Sequence, residues 1–345
     1  MHAANLVSEL KSVDDNSVIR AWGGERLISE GIEISKNIKD ISFMGIWSVL
    51  INIGTIKSNL HYCKKDLLAF KADVLILVDY PGFNLKIAEF AKKNKIKVFY
   101  YISPKVWAWN KKRIYKIKKY VDHLLVIFPF EVEFYKQHGV EVTYVGNPLL
   151  DEIKKKNLSF SSKHSKLVIA LLPGSRKQEI DKILPKMLSI VADFHEYQFV
   201  IAGNKNFDQD YYNKFIKDDN VSLVYDQTYG LLENSKYALV TSGTATLEAA
   251  LFKVPQVVCY RTNWLTYFIG RLLVKIPYLS LVNILMDRMV VKELVQSELT
   301  KDNLTLEIHL MIKNQENIIR DYKKIINLLD KKGASKNAAR FIFRN

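Results

Sequence analysis

Short apolar runs bounded by turn residues, most of them followed by apolar positions at helical spacing, recur from residue 72 to residue 260. Only a fold that interleaves strands with helices accommodates that pattern, because strands bury alternate side chains whereas helices bury every third or fourth. Ala72 to Asp79 (ADVLILVD) reads as a strand, and after Pro81-Gly82 the positions Phe83, Ile87, Phe90 and Ala91 share one helical face. Ile96 to Ile102 reads as a second strand and His123 to Phe128 as a third. Between them Lys105 to Tyr120 reads as a helix, with Ile114, Ile117 and Val121 inward and Lys111, Lys112, Arg113, Lys116 and Lys119 outward. Glu131 to His138 then reads as a helix and Val142 to Val145 as a strand, closed by Gly146-Asn147-Pro148.

The segment Asp151 to Ser165 (DEIKKKNLSFSSKHS) is polar and lacks sustained periodicity, so a linker is expected there. The alternation then restarts, with strands expected at Leu167 to Leu172, Tyr197 to Ala202, Val221 to Tyr225, Tyr237 to Thr241 and Gln256 to Tyr260. The fold class is therefore α/β, with two doubly wound, mainly parallel sheets facing a cleft. The domains are expected at 1–150 and 166–312, joined by 151–165, with helices over 313–345. In that last segment Ile318, Tyr322, Ile325, Ile326 and Leu329 form an apolar stripe expected to pack across a domain or subunit surface, which leaves a homodimer open. At 345 residues the chain exceeds the size at which one core stops growing, which agrees with two domains.

A formal charge of +15 favours anionic partners: nucleic acid, an anionic membrane surface or phosphorylated substrates. Cys63 and Cys259 stand far apart, without further ligands at metal spacing, which argues for a reducing cytosol and against a disulfide framework or zinc site. The uncharged stretch Ile41 to Ile56 falls short of the ~20 residues that cross a bilayer. The first ten residues lack the layout of a signal peptide.

In open α/β sheets ligands bind beyond the carboxyl ends of the strands, so chemistry is expected just after strands. Asp79 sits there; its carboxylate can serve as general base for an attacking hydroxyl, or equally hydrogen-bond its own turn. Leu172-Pro173-Gly174-Ser175-Arg176 opens a helix after a strand, where backbone N–H groups and the Arg176 guanidinium can meet a phosphate. It lacks the Lys-Ser/Thr of a P-loop, which excludes that kind of ATPase. Ser242-Gly243-Thr244-Ala245-Thr246 joins another strand end to a helix start with small residues and hydroxyls suited to a diphosphate, and Glu248 further in suits ribose hydroxyls. An ordinary helix cap followed by a surface Glu is the structural alternative. Asp208-Gln209-Asp210 resembles a metal-diphosphate pair but stands at an expected helix start, so no metal site is assigned. Ile41 to Ile56, with Phe43, Met44, Ile46, Trp47, Leu50 and Ile51, is more apolar than one helix face needs and suits either a buried helix or contact with acyl chains or membrane. Trp107 and Trp109 suit either core or a surface beneath a sugar or lipid.

The string Ile102-Ser103-Pro104-Lys105-Val106-Trp107-Ala108-Trp109, followed by Asp122-His123, Pro129-Phe130-Glu131 and Gly146-Asn147-Pro148-Leu149, resembles the central part of the lipid-A-disaccharide synthases. Leu171 to Arg176 and Thr241 to Leu251 continue the resemblance in the family's order, over nearly the whole chain. It implies a metal-independent glycosyltransferase of two Rossmann-like domains (the GT-B type), without a cofactor, peripheral on the cytoplasmic face of the inner membrane. The implied reaction moves 2,3-diacylglucosamine from UDP to 2,3-diacylglucosamine 1-phosphate. Asp79, in Asp79-Tyr80-Pro81-Gly82-Phe83-Asn84, matches the family's proposed base. The implied UDP-sugar site draws on Gly174, Ser175, Arg176, Ser242 to Thr246, Glu248, Asn283 and Gln296, and Ile41 to Ile56 matches the region thought to handle acyl chains or membrane.

The family normally opens with a strand and a Gly-Glu-x-Ser-Gly-Asp loop, and this sequence begins where that loop would end, so an inner strand of the first sheet is expected to be missing. Val282 and Lys292 replace expected prolines, and Ser48 an expected glutamate. Rival readings are another GT-B enzyme on UDP-N-acetylglucosamine (a cell-wall glycosyltransferase or a 2-epimerase), an inactive membrane-associated scaffold, and a basic nucleic-acid-binding protein. No nucleic-acid recognition motif supports the last.

Overall fold

The structure is a computed structural model that describes residues 1–41, 51–108, 111–155, 160, 166–273 and 276–345. The chain forms two compact units, Met1–Asp151 with Lys331–Asn345, and Glu152–Asp330.

In the first unit, strands β1 (Arg20–Gly23) and β2 (Glu33–Asn37) pair in parallel as a separate two-stranded sheet. Strands β3 (Val74–Val78), β4 (Lys97–Tyr101), β5 (His123–Val126) and β6 (Val142–Tyr144) form a parallel sheet in sequence order. The alternation along β4 dictates what covers it. Val98 and Tyr100 face one way, into a core with Leu85, Ala88 and Ala91 of helix Pro81–Lys93 and with Ile114 and Ile117 of helix Arg113–Tyr120. Phe99 and Tyr101 face the other way, onto Leu6 of helix His2–Val13 and Ala338, Ala339 and Ile342 of helix Ala334–Arg344. Both faces are thus buried, as a parallel sheet requires. β3 is an edge strand, with Val74 40% exposed.

The second unit holds β7 (Leu167–Leu172), β8 (Tyr197–Gly203), β9 (Val221–Tyr225), β10 (Ser235–Thr241), β11 (Gln256–Tyr260) and β12 (Glu293–Val295) in one sheet ordered β12-β11-β10-β7-β8-β9. All the pairings are parallel. The first three strands run outward in one direction and the next three in the other, so the order reverses between β7 and β10. That is the doubly wound arrangement, with its ligand crevice at the reversal.

Three expectations are corrected. The helix expected over Lys105 to Tyr120 begins only at Arg113; Val106 N–H bonds Pro104 O at 2.6 Å and Ala108 N–H bonds Lys105 O at 3.1 Å, so the segment after Pro104 makes tight turns. The polar stretch from Asp151 starts inside helix Pro148–Lys155. The apolar stripe of helix Gln315–Leu328 packs within the second unit, against helices Thr244–Leu251 and Leu281–Met286. Tyr322 is fully buried there and its hydroxyl accepts from Gln256 Nε2 at 3.1 Å. β1, β2 and β12 were not anticipated.

Because Ala338 closes the face of β4 opposite Leu85, Ala338→Asp places an uncompensated charge among Phe99, Tyr101 and Leu125. It is expected to destabilise the first unit by roughly 3 kcal/mol or more. Amide exchange checks this: β4 should lose protection while β10 keeps it.

Candidate functional site

The second unit presents two strand-to-helix turns side by side at the reversal of strand order. β7 delivers Pro173 to Arg176, and β10 delivers Ser242 to Thr244. They are in close contact: a Cβ added to Gly174 would stand 3.3 Å from Thr241 Cγ2 and 2.6 Å from Glu179 Oε2. At Gly243 the backbone takes φ +151°, ψ −156°, open to glycine alone, and a Cβ would meet nothing within 4 Å. Open space therefore lies directly over the start of helix Thr244–Leu251, where the first N–H groups have no carbonyl four residues back.

The first turn is more occupied than the sequence suggested. Glu179 Oε2 accepts from the N–H groups of Ser175 and Arg176 at 3.3 Å each, and Glu179 Oε1 accepts from Arg176 Nη1 at 2.8 Å. Glu179 is the acidic arm of a capping box, legible in the three-residue spacing from Arg176 but not singled out. The carboxylate holds the donors in a convergent set while Ser175 and Arg176 stay exposed. Glu248, half-buried, accepts from the Tyr229 hydroxyl at 3.2 Å.

Several residues expected on the ligand surface have polar groups bonded within the protein. Thr246 is fully buried; its hydroxyl donates to Gly243 O at 2.8 Å and accepts from Leu281 N–H at 3.2 Å. Ser242 Oγ donates to Leu279 O at 2.9 Å. Asn283, also fully buried, spends its whole amide internally: Nδ2 donates to Val291 O and Glu293 Oε1, while Oδ1 accepts from Val290 and Val291 N–H. Glu293 also accepts from the N–H groups of Leu279 and Ser280, both at 2.9 Å. Asn283 and Glu293 thus fasten the stretch 279–293 to the rim of the turn after β10. Gln296 is in the left-handed region at φ +56°, with Oε1 accepting from Thr262 N–H at 3.2 Å. Its Nε2 is buried without a hydrogen-bond partner among the described residues. Asp208, read as a helix-start residue rather than a metal ligand, caps Gln209–Asn213 by accepting from Tyr211 N–H at 2.8 Å.

In the first unit, Asp79 directly follows β3 and is exposed. Asp79 and Tyr80 are consecutive non-glycine residues in the left-handed region, at φ +47° and +44°. Such backbone costs of order 1–3 kcal/mol per residue and persists only where the surroundings hold it. Here Tyr100 Oη donates to Asp79 O at 2.6 Å and Asn84 Nδ2 donates to the same oxygen at 2.7 Å. Tyr80 Oη donates to Ile41 O at 2.8 Å. With its carbonyl clamped, Asp79 has its carboxylate turned to solvent at the strand's carboxyl end. Burial pushes the Tyr100 phenol well above its ordinary range, and the Asp79 charge adds to that, so it remains a donor.

Glu131 organises the Ser103–Trp107 segment. Its Oε1 accepts from Ser103 Oγ at 2.6 Å and Trp107 Nε1 at 3.2 Å, and its Oε2 accepts from Ile127 and Phe128 N–H at 3.2 and 3.1 Å. Trp107 packs edge-on against Phe130, with ring centroids 5.1 Å apart. Phe43, Met44, Ile46, Trp47 and Leu50, and also Trp109, lie outside the described residues; Ile51 is 80% exposed. Among the described residues no helix is long and apolar enough to cross a membrane, and no three His, Cys, Asp or Glu side chains gather as a metal site.

Glu131→Gln turns an amide NH₂ toward donors that now face a carboxylate oxygen. The expected cost is about 1–3 kcal/mol in urea unfolding, with tryptophan fluorescence reporting a loosened Trp107.

A sequence profile described as lipid-A-disaccharide synthetase matches residues 1–343. The lipid-A-disaccharide synthase of Syntrophus aciditrophicus is 35% identical, over 96% of this chain and 90% of its own length. That of Coxiella burnetii is 33% identical, over 98% and 93%, and that of Myxococcus xanthus 36% identical, over 89% and 83%. Among solved structures, the UDP-GlcNAc 2-epimerase of Neisseria meningitidis bound to UDP-GlcNAc superposes with a TM-score of 0.62 at 15% identity, covering 100% of this chain and 96% of that one. CalG4, the calicheamicin glycosyltransferase, does so with 0.64 at 13% identity, over 99% and 93%. At such identities these structures speak to the fold alone, which is that of GT-B glycosyltransferases and their epimerase relatives. The sequence relatives speak to more: the chain belongs to the lipid-A-disaccharide synthase family of glycosyltransferases.

Proposed function

We propose that the chain transfers 2,3-diacylglucosamine from its UDP conjugate to the 6-hydroxyl of 2,3-diacylglucosamine 1-phosphate, with inversion and release of UDP. The observation that carries this reading is Asp79: an exposed carboxylate at a strand's carboxyl end, on a strained backbone that Tyr100 and Asn84 hold in place. Asp79 takes the proton of the acceptor hydroxyl as that oxygen's lone pair forms the bond to the anomeric carbon. The bond from that carbon to the diphosphate breaks on the opposite face, and its electrons leave with UDP. Arg176 and the N–H groups at the start of helix Thr244–Leu251 stabilise the departing charge without a metal. Glu248 is assigned to the ribose, and Thr246, Asn283 and Glu293 to holding the loops in place. Gln296, whose Nε2 has no hydrogen-bond partner among the described residues, is the further candidate for a direct ligand contact.

The net charge of +15, the exposed Lys118 and Lys119 and the exposed Ile51 support peripheral attachment to an anionic inner-membrane surface. The epimerase reading draws on fold likeness alone, so the family relationship weighs against it.

The test is UDP release from UDP-2,3-diacylglucosamine with and without the acceptor lipid. Release that needs both lipids, and falls about 10²–10⁴-fold in Asp79→Asn, is expected. Equal rates for the two proteins would remove Asp79 as base; turnover of UDP-N-acetylglucosamine alone would favour an epimerase. A further expectation concerns Gly243→Ala, whose strained backbone and added Cβ should weaken UDP binding at least about tenfold by calorimetry.

A further inference from the structure

A cavity of about 210 Å³ lies beside the base, lined by Pro81, Gly82, Leu85, Lys86, Lys112, Arg113 and Lys116. Four of its seven lining residues are cationic and none is acidic. Its floor is fixed by packing: Leu85 belongs to the same buried cluster as Ile114 and Ile117, which locks helix Pro81–Lys93 against helix Arg113–Tyr120. Lys112 and Lys116, four residues apart, emerge on one side of the second helix. The nearest acid along the first helix, Glu89, does not line the cavity; it pairs with Lys93 at 3.0 Å and also feels the charge of Lys116. Gathering like charges around one concavity costs energy that a bound anion would offset.

The cavity is coupled to Asp79 through the chain and through Tyr100. Pro81 and Gly82 follow Tyr80 directly, and the Tyr100 phenol, which clamps the Asp79 carbonyl, lies within electrostatic reach of both Asp79 and Arg113. Drug-sized ligands fill roughly 300–1,000 Å³, so this smaller hollow suits one charged group of a larger molecule. The donor's diphosphate is already assigned to the turns after β7 and β10.

We propose that this cavity is the subsite for a phosphate monoester, namely the anomeric phosphate of the acceptor, and that Lys86, Lys112, Arg113 and Lys116 thereby select a phosphorylated acceptor. The subsite rests on the transferase reading above. It orients the acceptor so that its 6-hydroxyl is the one presented to Asp79.

The test compares wild type with the triple variant Lys86→Gln, Lys112→Gln, Lys116→Gln in mixed detergent micelles, using 2,3-diacylglucosamine 1-phosphate and 2,3-diacylglucosamine without phosphate. Wild type should prefer the phosphorylated acceptor. The variant should lose that preference through a KM raised about tenfold or more at nearly unchanged kcat, the pattern of lost ground-state binding, with the donor KM unaffected. A preference that survives the triple variant overturns the proposal. Phospholipid headgroups are the other source of phosphate: if cosedimentation with phosphatidylglycerol vesicles falls in the variant while acceptor preference persists, the cavity serves the membrane and the proposal fails. Should wild type release no UDP at all, the transferase reading fails separately. The subsite is then decided by equilibrium binding of the phosphorylated lipid in micelles, where equal affinity for wild type and variant overturns it.

Discussion

Burial of both faces of the parallel sheets is the constraint on which the rest depends. Val98 to Tyr101 in the first unit and Val257 to Cys259 in the second are fully buried, so no ligand reaches either sheet through its faces. Chemistry is confined to the strand ends, and at the carboxyl ends the loops are short enough to hold a side chain in one place. In the second unit the reversal between β7 and β10 leaves a gap between successive helices, and both phosphate-compatible turns open there.

Some of the strained backbone lies at the same ends, the rest in turns such as those of Lys71, Lys95 and Lys253 that lead into strands. Asp79, Tyr80, Gln296 and Gly243 all have positive φ, and each follows a strand. The surroundings over-determine them: two donors fix the Asp79 carbonyl, and a buried Asn283–Glu293 network fixes the loop that meets Ser242 and Thr246. Donors and a carboxylate held in place in this way need no rearrangement when charge develops nearby.

How much of this was legible in the sequence depended on the range of the interactions concerned. The long strands were, because Leu167 to Leu172 or Gln256 to Tyr260 carry their own signal in apolar content and flanking turns. β12 was not: three residues, Glu293 to Val295, become a strand only by pairing with β11. The helix expected from Lys105 failed because Glu131, more than twenty residues on, captures Ser103 and Trp107 and holds that segment in turns. In the site, glycines and small residues after strands marked the turns correctly. What sequence could not show was which polar groups are already used: Thr246 and Asn283 have the chemistry of ligand contacts, yet Leu281 N–H, 35 residues on from Thr246, and the backbone of Val290 and Val291 use them. Glu179 was legible as the acidic arm of a capping box three residues after Arg176, but nothing in that spacing marked it as part of the site.

The return of Lys331–Asn345 to the first unit bears on how the protein comes off the ribosome. Ala338, Ala339 and Ile342 complete the packing over Phe99 and Tyr101, so the unit begun first cannot seal its core until residues 338–342 have followed the whole of Glu152–Asp330. The second unit, Glu152–Asp330, is continuous in sequence and carries no such debt. During translation the order of folding is therefore inverted relative to the order of synthesis, and the nascent chain displays the aromatic face of β4 throughout, as a surface for chaperones.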